Sequence, residues 1–306
     1  MEPLRETFDT SPELLLRTGR RVSETSQLPA EAVTAAAREV APRVMTAGAP
    51  ALRDEMTAIL MGRGVHLALQ WLYDAGVMQV ILPELAATVN FSQEAGRKHK
   101  DVWEHTKQVV RQSVPRPAVR WAALLHDIGK VPTRTFTPDG KVHFHGHSEV
   151  GARMFDDVAR RFGIAGAEKQ KLKFLILHHL RANQYDPSWT DSAVRRFDRE
   201  MSEHLTDLLD LSRADITSKR PGRRQEALRS ISELATRIEK LREEDAKQPA
   251  LPTGLGNAIM EQLAIPPSKK IGDLKKLCEA AVERGEIEAR QPSEYYIDWL
   301  RRTNSF

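Results

Sequence analysis

At 306 residues the chain has material for one large domain or a few small ones. Lys and Arg total 46 against 42 Asp and Glu, a formal charge of +4, and a pI near 9.2 leaves room for an anionic partner such as RNA. There is no run of about 18 apolar residues, and the start MEPLRETFDTSPELLL lacks the basic lead and apolar stretch of a secretory signal. The reading is therefore a cytoplasmic protein with no membrane segment. Its single cysteine, Cys278, excludes an internal disulfide and sits at an apolar position of an amphipathic helix.

Helical periodicity dominates from the start. ALRDEMTAILM places Leu52, Met56, Ile59 and Leu60 on one stripe, and GVHLALQWLYDAGVM repeats the pattern through Leu67, Trp71, Leu72 and Ala75, until Pro83 breaks the run. From RKHKDVWEHTKQVV onward histidines crowd in: of ten in the chain, eight lie between positions 99 and 179, which marks that region as a site. TRTFTPDGKVHFHGH alternates polar and apolar residues about Pro138-Asp139-Gly140 and reads as a short hairpin between helices. Helices resume through LKFLILHHL, a long segment from 191 that should break near Arg199, and RRQEALRSISELATRIEKLREEDA; KQPALPTG then leads to a last helical module. The expected fold is all-α, a multi-helix bundle with a small β-hairpin and flanking helical modules. Residues 1–95 are read as an N-terminal helical region, 96–220 as the central domain and 221–306 as a C-terminal helical region.

Four residues carry the chemistry. LLHDIGKVP sets His126 beside Asp127 after an apolar helix, and adjacent buried polar groups need a partner, either an ion or the end of a helix. His105 on DVWEHTKQVV and Asp215 on LLDLSRADITS each interrupt an apolar stripe as well. A mixed N/O set of this kind suits a divalent transition metal, or Mg, better than a structural zinc. Three more residues are weighed as substrate contacts: His99, before the first helix of the domain; His179, about 100° around the helix from His178 and alternatively a cap; and Arg181, alternatively a plain surface arginine.

The order of VWEHT, LLHDIGK and LSRADITS resembles the HD-domain superfamily of metal-dependent phosphohydrolases, with a pattern H, HD, D on a helical bundle. Two-metal members add a histidine in a GHxxxGA segment, matched by Gly146 to Ala152, and another at the end of a later helix, matched by His178. The resemblance implies that His105, His126, Asp127 and Asp215 bind one metal, and that Asp127 bridges to a second held by His147 and His178. The cofactor is then one or two divalent ions among Mn, Ni, Co, Mg and Fe. Asp127 and Lys130 are the implied catalytic residues, with Lys130 either stabilising a phosphate oxygen or pairing with an outer carboxylate.

The flanks are similar to the neck, HD and tail regions of bacterial tRNA nucleotidyltransferases, the CCA-adding enzymes, in AGVMQVILPEL, KDVWEHT and the cadence MEQLAIPPSKKIGDLKKLCEAAVERGEIEAR. That family's head requires a Gly-Ser phosphate loop, a D-x-D pair and an RRDFT-like strand, which are not found in this sequence. The function expected is hydrolysis of a phosphomonoester or 2′,3′-cyclic phosphodiester of a nucleotide or RNA end, and SKRPGRR at 218–224 reads either as a contact for RNA phosphates, tRNA being one candidate, or as a solvated helix end. The alternatives are a catalytically idle helical scaffold, an RNA-binding protein, or a subunit completing a separate head.

Overall fold

A computed structural model describes residues 2–91, 101–138, 141–218, 220–247 and 249–303. By packing it resolves into two compact units: residues 1–188 with 201–233, and residues 189–200 with 234–306. Among the described residues the only sheet is a two-stranded hairpin, so the architecture is all-α as the periodicity requires. No helix of the described residues is long and apolar enough to cross a membrane.

The first unit begins with α1 (Glu2–Thr10), α2 (Glu13–Thr25), α3 (Glu31–Val40), α4 (Ala49–Met61) and α5 (Val65–Asp74). The α2 helix packs on α4 and α5, burying Leu15, Leu16 and Val22 against Leu52, Met56, Ile59, Leu60 and Leu72. Two short helices, α6 (Val77–Ile81) and α7 (Pro83–Ala86), close this part, with Pro83 starting the second because its ring fits the first helical turn.

The α8 helix (Val102–Gln112) starts where Asp101 accepts backbone N–H groups from Trp103 and Glu104 at 2.7 and 3.2 Å. Next comes α9 (Pro117–Leu125), the hub of the unit: every residue from Val119 to Leu125 is buried, and the helix packs on α4, α8, α12 (Gly166–His178) and α14 (Leu205–Asp215). Its large side chains settle their polar atoms internally. Trp121 donates its indole N–H to Thr57 at 2.9 Å, as Trp71 does to Thr34 and Trp103 to Gln70. Arg120 is buried with no carboxylate partner among the described residues; it donates instead to the carbonyls of Leu60, Gly62 and Ser113, tying the end of α4 to α9. Hydrogen bonds from a charged donor contribute about 1.5–3 kcal/mol each, which offsets the burial that lowers this guanidinium's pKa.

After the HD turn a one-turn helix, α10 (Lys130–Thr133), leads into the hairpin of β1 (Thr135–Phe136) and β2 (Val142–His143), antiparallel with Thr135 opposite His143 and Phe136 opposite Val142. Its Pro138-Asp139-Gly140 turn lies partly outside the described residues. Gly146, at φ +72°, turns the chain out of the hairpin directly into α11 (His147–Phe162), a conformation open to glycine at little cost. The α13 helix (Asp191–Met201) is separated from α14 by a 3₁₀ turn at Ser202–His204, with Ser202 at φ +45°, so the break falls just beyond Arg199.

The second unit is laced by charge and filled by a small core. Arg195 grips Asp245 bidentately, Arg290 joins the same carboxylate, and Arg242 grips Asp198, which fastens α13 to the later half of α15 (Pro221–Lys247). The core comprises Leu255 and Ile259 of α16 (Leu255–Gln262), Leu274, Cys278 and Ala281 of α17 (Lys269–Glu283), and Tyr296, Ile297 and Leu300 of α18 (Ser293–Arg302). Burial pushes the Cys278 thiol up to about 11, so it is a packing group. Tyr296 is fully buried, and Tyr295 and Trp299 pack on the same cluster, as an aromatic last helix requires.

Candidate metal centre

Where α9 ends, His126 and Asp127 leave the apolar stripe and meet side chains from four other elements. His105 comes from α8, Asp215 from the last residue of α14, His147 from the first residue of α11, and His179 from the residue after α12. Asp127 stands between two triads, His105–His126–Asp127 and Asp127–His147–His179, each with its ligand-type atoms mutually within 4.8 Å. Asp127 Oδ2 lies 3.2 Å from His126 Nε2 and 3.5 Å from His105 Nε2, while Oδ1 turns the other way, 3.6 Å from His147 Nε2 and 3.9 Å from His179 Nε2. Asp215 Oδ1 completes the first group, 3.0 Å from His105 Nε2 and 3.5 Å from His126 Nε2.

All four imidazoles are fixed the same way. Nδ1 of His126, His147 and His179 faces the carbonyl of Ala123, Phe144 and Ile176 at 2.8, 2.9 and 2.8 Å, and Nδ1 of His105 faces the Thr217 hydroxyl at 2.9 Å. A carbonyl only accepts, so Nδ1 must carry the hydrogen there, and a neutral ring then presents an Nε2 lone pair to the centre. Asp215 is held by its own backbone: Gln112, at the end of α8, donates to the carbonyls of Ala214 and Ile216 on either side.

The electrostatics divide the cluster. Burial alone would lower His126, but the Asp127 and Asp215 carboxylates overcome it and raise this imidazole to about 10. Burial works against ionised Asp127 as well, yet His126 and Lys130, whose Nζ is 2.7 Å from Oδ2, hold it well below the usual carboxylate range; His105 and His126 do the same for Asp215. On the other side burial wins. His147 is lowered, and burial with the nearby His126 charge brings His179 down to about 4.

That second triad tests the fit of a cation. His147 and His179 are neutral with Nδ1–H spent on carbonyls, so two lone pairs face each other across 3.3 Å, and Asp127 Oδ1, buried and without a hydrogen-bond partner among the described residues, points at both. Three acceptors converge with no donor among them, which costs free energy unless a cation lies between. Adjacent ligands on a metal with bonds of about 2.1 Å stand about 3.0–3.4 Å apart, the spacing seen across both histidine pairs. The donor set of nitrogen and carboxylate oxygen fits Mn, Fe, Co, Ni or Mg-type ions.

The structure exchanges two of the sequence assignments. His178, expected as a ligand, lies half-buried with its ring 4.3 Å from that of Phe174, outside the cluster; His179, expected as a substrate contact, is inside it. The reason is helical phase, since Leu172, Leu175 and Ile176 form the buried face of α12 and position 179 continues that stripe, while 178 falls about 100° away. In metal titrations His179→Ala is expected to weaken binding by more than the ten- to hundredfold typical of residues around a metal's ligands, and His178→Ala to leave it within about twofold. A larger loss in His178→Ala than in His179→Ala would reverse the assignment. Arg181 is half-buried in the turn after α12, and His99 lies outside the described residues. Of the residues expected around the centre, His105, His126, Asp127, Lys130, His147 and Asp215 are brought together. Thr217 and Gln112 were not anticipated; the only sign of them was their position just beyond a ligand or at the end of a ligand's helix.

Comparison with known proteins places the centre in context. Residues 88–220 match the family model described as HD domain. The chain is 31% identical over 261 residues to the A-adding tRNA nucleotidyltransferase of Deinococcus radiodurans, covering 82% of this chain and 58% of that one. It is 29% identical over 258 residues to the CC-adding tRNA nucleotidyltransferase of Thermus thermophilus, covering 82% and 56% respectively. It thus spans little more than half the length of these relatives. Among solved structures, the CCA-adding enzyme of Bacillus stearothermophilus, crystallised with CTP, shares the fold with a TM-score of 0.53 at 18% identity, over 99% of this chain and 64% of that one.

Proposed function

Starting from a chain that carries an HD domain and is related to tRNA nucleotidyltransferases, we propose that its centre is a metal-dependent phosphohydrolase acting on a phosphomonoester or 2′,3′-cyclic phosphodiester of a nucleotide or RNA end. The observation that carries this reading is Asp127, one buried carboxylate shared by two ligand triads with an oxygen turned to each. His105, His126, Asp127 and Asp215 would hold one divalent ion, and His147 and His179, with Asp127, a second. When bound, such ions activate water and neutralise phosphoryl oxygens.

The chain's own residues set the rest. Within the centre His126, Asp127 and His179 are at most 3% exposed, while His105, Lys130, His147 and Asp215 keep 11–15% and are the members reachable from solvent. Substrate phosphate therefore approaches past Lys130, whose ammonium, anchored on Asp127, is set to pair with a phosphate oxygen. The Nδ1 anchors keep the imidazoles aimed while charge moves across the centre. Arg220, Arg223 and Arg224 are exposed a few residues after Asp215 and are available to phosphates of a longer RNA such as tRNA.

The test is a screen of phosphomonoesters and 2′,3′-cyclic nucleotides with Mn, Ni, Co or Mg, paired with metal analysis of the purified protein. Metal-dependent turnover of one class is expected. A protein that binds metal and hydrolyses neither is the helical scaffold or RNA-binding protein instead.

A further inference from the structure

The hairpin beside the centre has a surface that the reading above leaves unused. Strand parity puts Arg134, Phe136, Val142 and Phe144 on one face, with Thr135 and His143 on the other. Phe136 is 62% exposed, the most exposed large apolar side chain of the described residues and the one aromatic among those exposed. Lone exposed aliphatic residues are ordinary, but an aromatic ring turned to water beside an arginine is not covering any core. The Arg134 guanidinium lies 4.0 Å from the Phe91 ring centre and 5.4 Å from that of Phe136. Elsewhere arginines such as Arg161, Arg195 and Arg242 grip carboxylates; Arg134, exposed, has none among the described residues.

This face is joined to the centre by an unbroken run of contacts. Asp127 binds Lys130 at 2.7 Å, the Lys130 ammonium lies 5.7 Å from the Phe144 ring centre, and Phe144 packs on Phe91 at 6.2 Å, with Arg134 stacked on that ring. Phe144 also holds His147 through its carbonyl. A phosphate beside Lys130 thus has, along the face leading outward, two rings and a guanidinium stacked on them, the groups on which bases stack.

We infer that Phe136 and Arg134, backed by Phe91 and Phe144, form a stacking platform for the base of the nucleotide whose phosphate is held beside Asp127 and Lys130. The inference rests on the phosphohydrolase reading for the position of the phosphate and adds what that reading lacks, a reason for nucleotides over other phosphate esters. Stacking tolerates any base, so the platform confers a requirement for a base rather than a preference among the four.

The experiment is equilibrium binding of adenosine, and of AMP and ribose 5-phosphate each as the methylene phosphonate that cannot be hydrolysed, to the Mn(II)-loaded full chain, for the unaltered protein, Phe136→Ala and Phe136→Trp. The unaltered protein is expected to bind AMP more tightly than ribose 5-phosphate. Phe136→Ala should weaken AMP and adenosine by about fivefold or more while changing ribose 5-phosphate less than twofold, and Phe136→Trp should restore both. Equal affinity for AMP and ribose 5-phosphate in the unaltered protein, or an equal loss of both in Phe136→Ala, overturns the platform. Adenosine binding that depends on Phe136 in a protein that hydrolyses no phosphate ester upholds the platform and removes the phosphohydrolase. Turnover of phosphate esters with no dependence on a base does the reverse. A trinucleotide RNA ending in a 3′-phosphate, measured alongside, identifies the source of the base: whichever of RNA and AMP binds more tightly, that ligand must lose affinity in Phe136→Ala for the platform to stand.

Discussion

Asp127→Asn is expected to remove bound divalent metal from the centre and to abolish any metal-dependent phosphate hydrolysis, in a protein that stays folded. The substitution keeps the size of the side chain, so packing around the HD turn is undisturbed. What it deletes is the single negative charge facing four histidines and Lys130. The amide presents one oxygen and one NH₂ where the carboxylate presented two acceptors. Whichever way it turns, one triad receives a donor in place of a ligand atom. Both ligand triads share this residue, so neither keeps its full set, and the loss should exceed the ten- to hundredfold that follows changes around a metal's ligands. Metal content by elemental analysis and initial rates on the best substrate are the two readouts. A variant that retains a full complement of metal, or most of the activity, would move the chemistry away from this centre. Asp215→Asn is the contrasting case: among the described residues its ion-pair partners are His105 and His126, so it should spare the His147–His179 side.

Much of this was legible in the sequence because its physical cause is local. An apolar helix ending in His-Asp cannot leave both groups buried and unpaired, and that argument alone marks positions 126 and 127. The hairpin followed from alternation about Pro138, and the all-α architecture from stripes such as Leu52–Met56–Ile59. The partners of His126 came from matching a spaced pattern, and there one register went astray: adjacent histidines at 178 and 179 offer the same chemistry, and only the phase of Leu172, Leu175 and Ile176 separates them. That phase was present in the sequence and outranks position within a motif, because a ligand has to face inward before its identity matters. Thr217, Gln112 and the Arg120 anchor were out of reach for a different reason. Each depends on a carbonyl or imidazole brought close by tertiary packing across a large sequence separation, and nothing in its own neighbourhood encodes that.

The glycines of HDIGK and GHSEVGA look like two unrelated motif positions, yet the structure makes them one contact. A Cβ placed on Gly129 would stand 2.0 Å from the His147 carbonyl oxygen and 2.6 Å from the Gly151 backbone nitrogen, and a Cβ on Gly151 would stand 3.4 Å from the Gly129 nitrogen. The HD turn therefore rests directly on the backbone of the first turn of α11, and this approach is what brings His147 within reach of Asp127. The φ of Gly129 is −70°, so the requirement is space and not backbone freedom. Gly129→Ala must push α11 away from the turn, because both obstructing atoms are main chain and no rotamer change relieves them. Overpacking against side chains costs about 1–3 kcal/mol, and against backbone the penalty lies at or beyond the upper end. The displacement also separates His147 from Asp127, while His105 on α8, His126 at the end of α9 and Asp215 at the end of α14 are not carried by α11. The expected result is a chain with a lower thermal midpoint that loses the His147–His179 metal position and keeps the first. Thermal unfolding and metal stoichiometry measure the two halves of that statement, and Gly151→Ala, whose Cβ would meet Gly129 only at an ordinary contact distance of 3.4 Å, should leave both nearly unchanged. An unchanged melting temperature with full metal occupancy in Gly129→Ala would mean that the turn and the helix do not meet as closely as described.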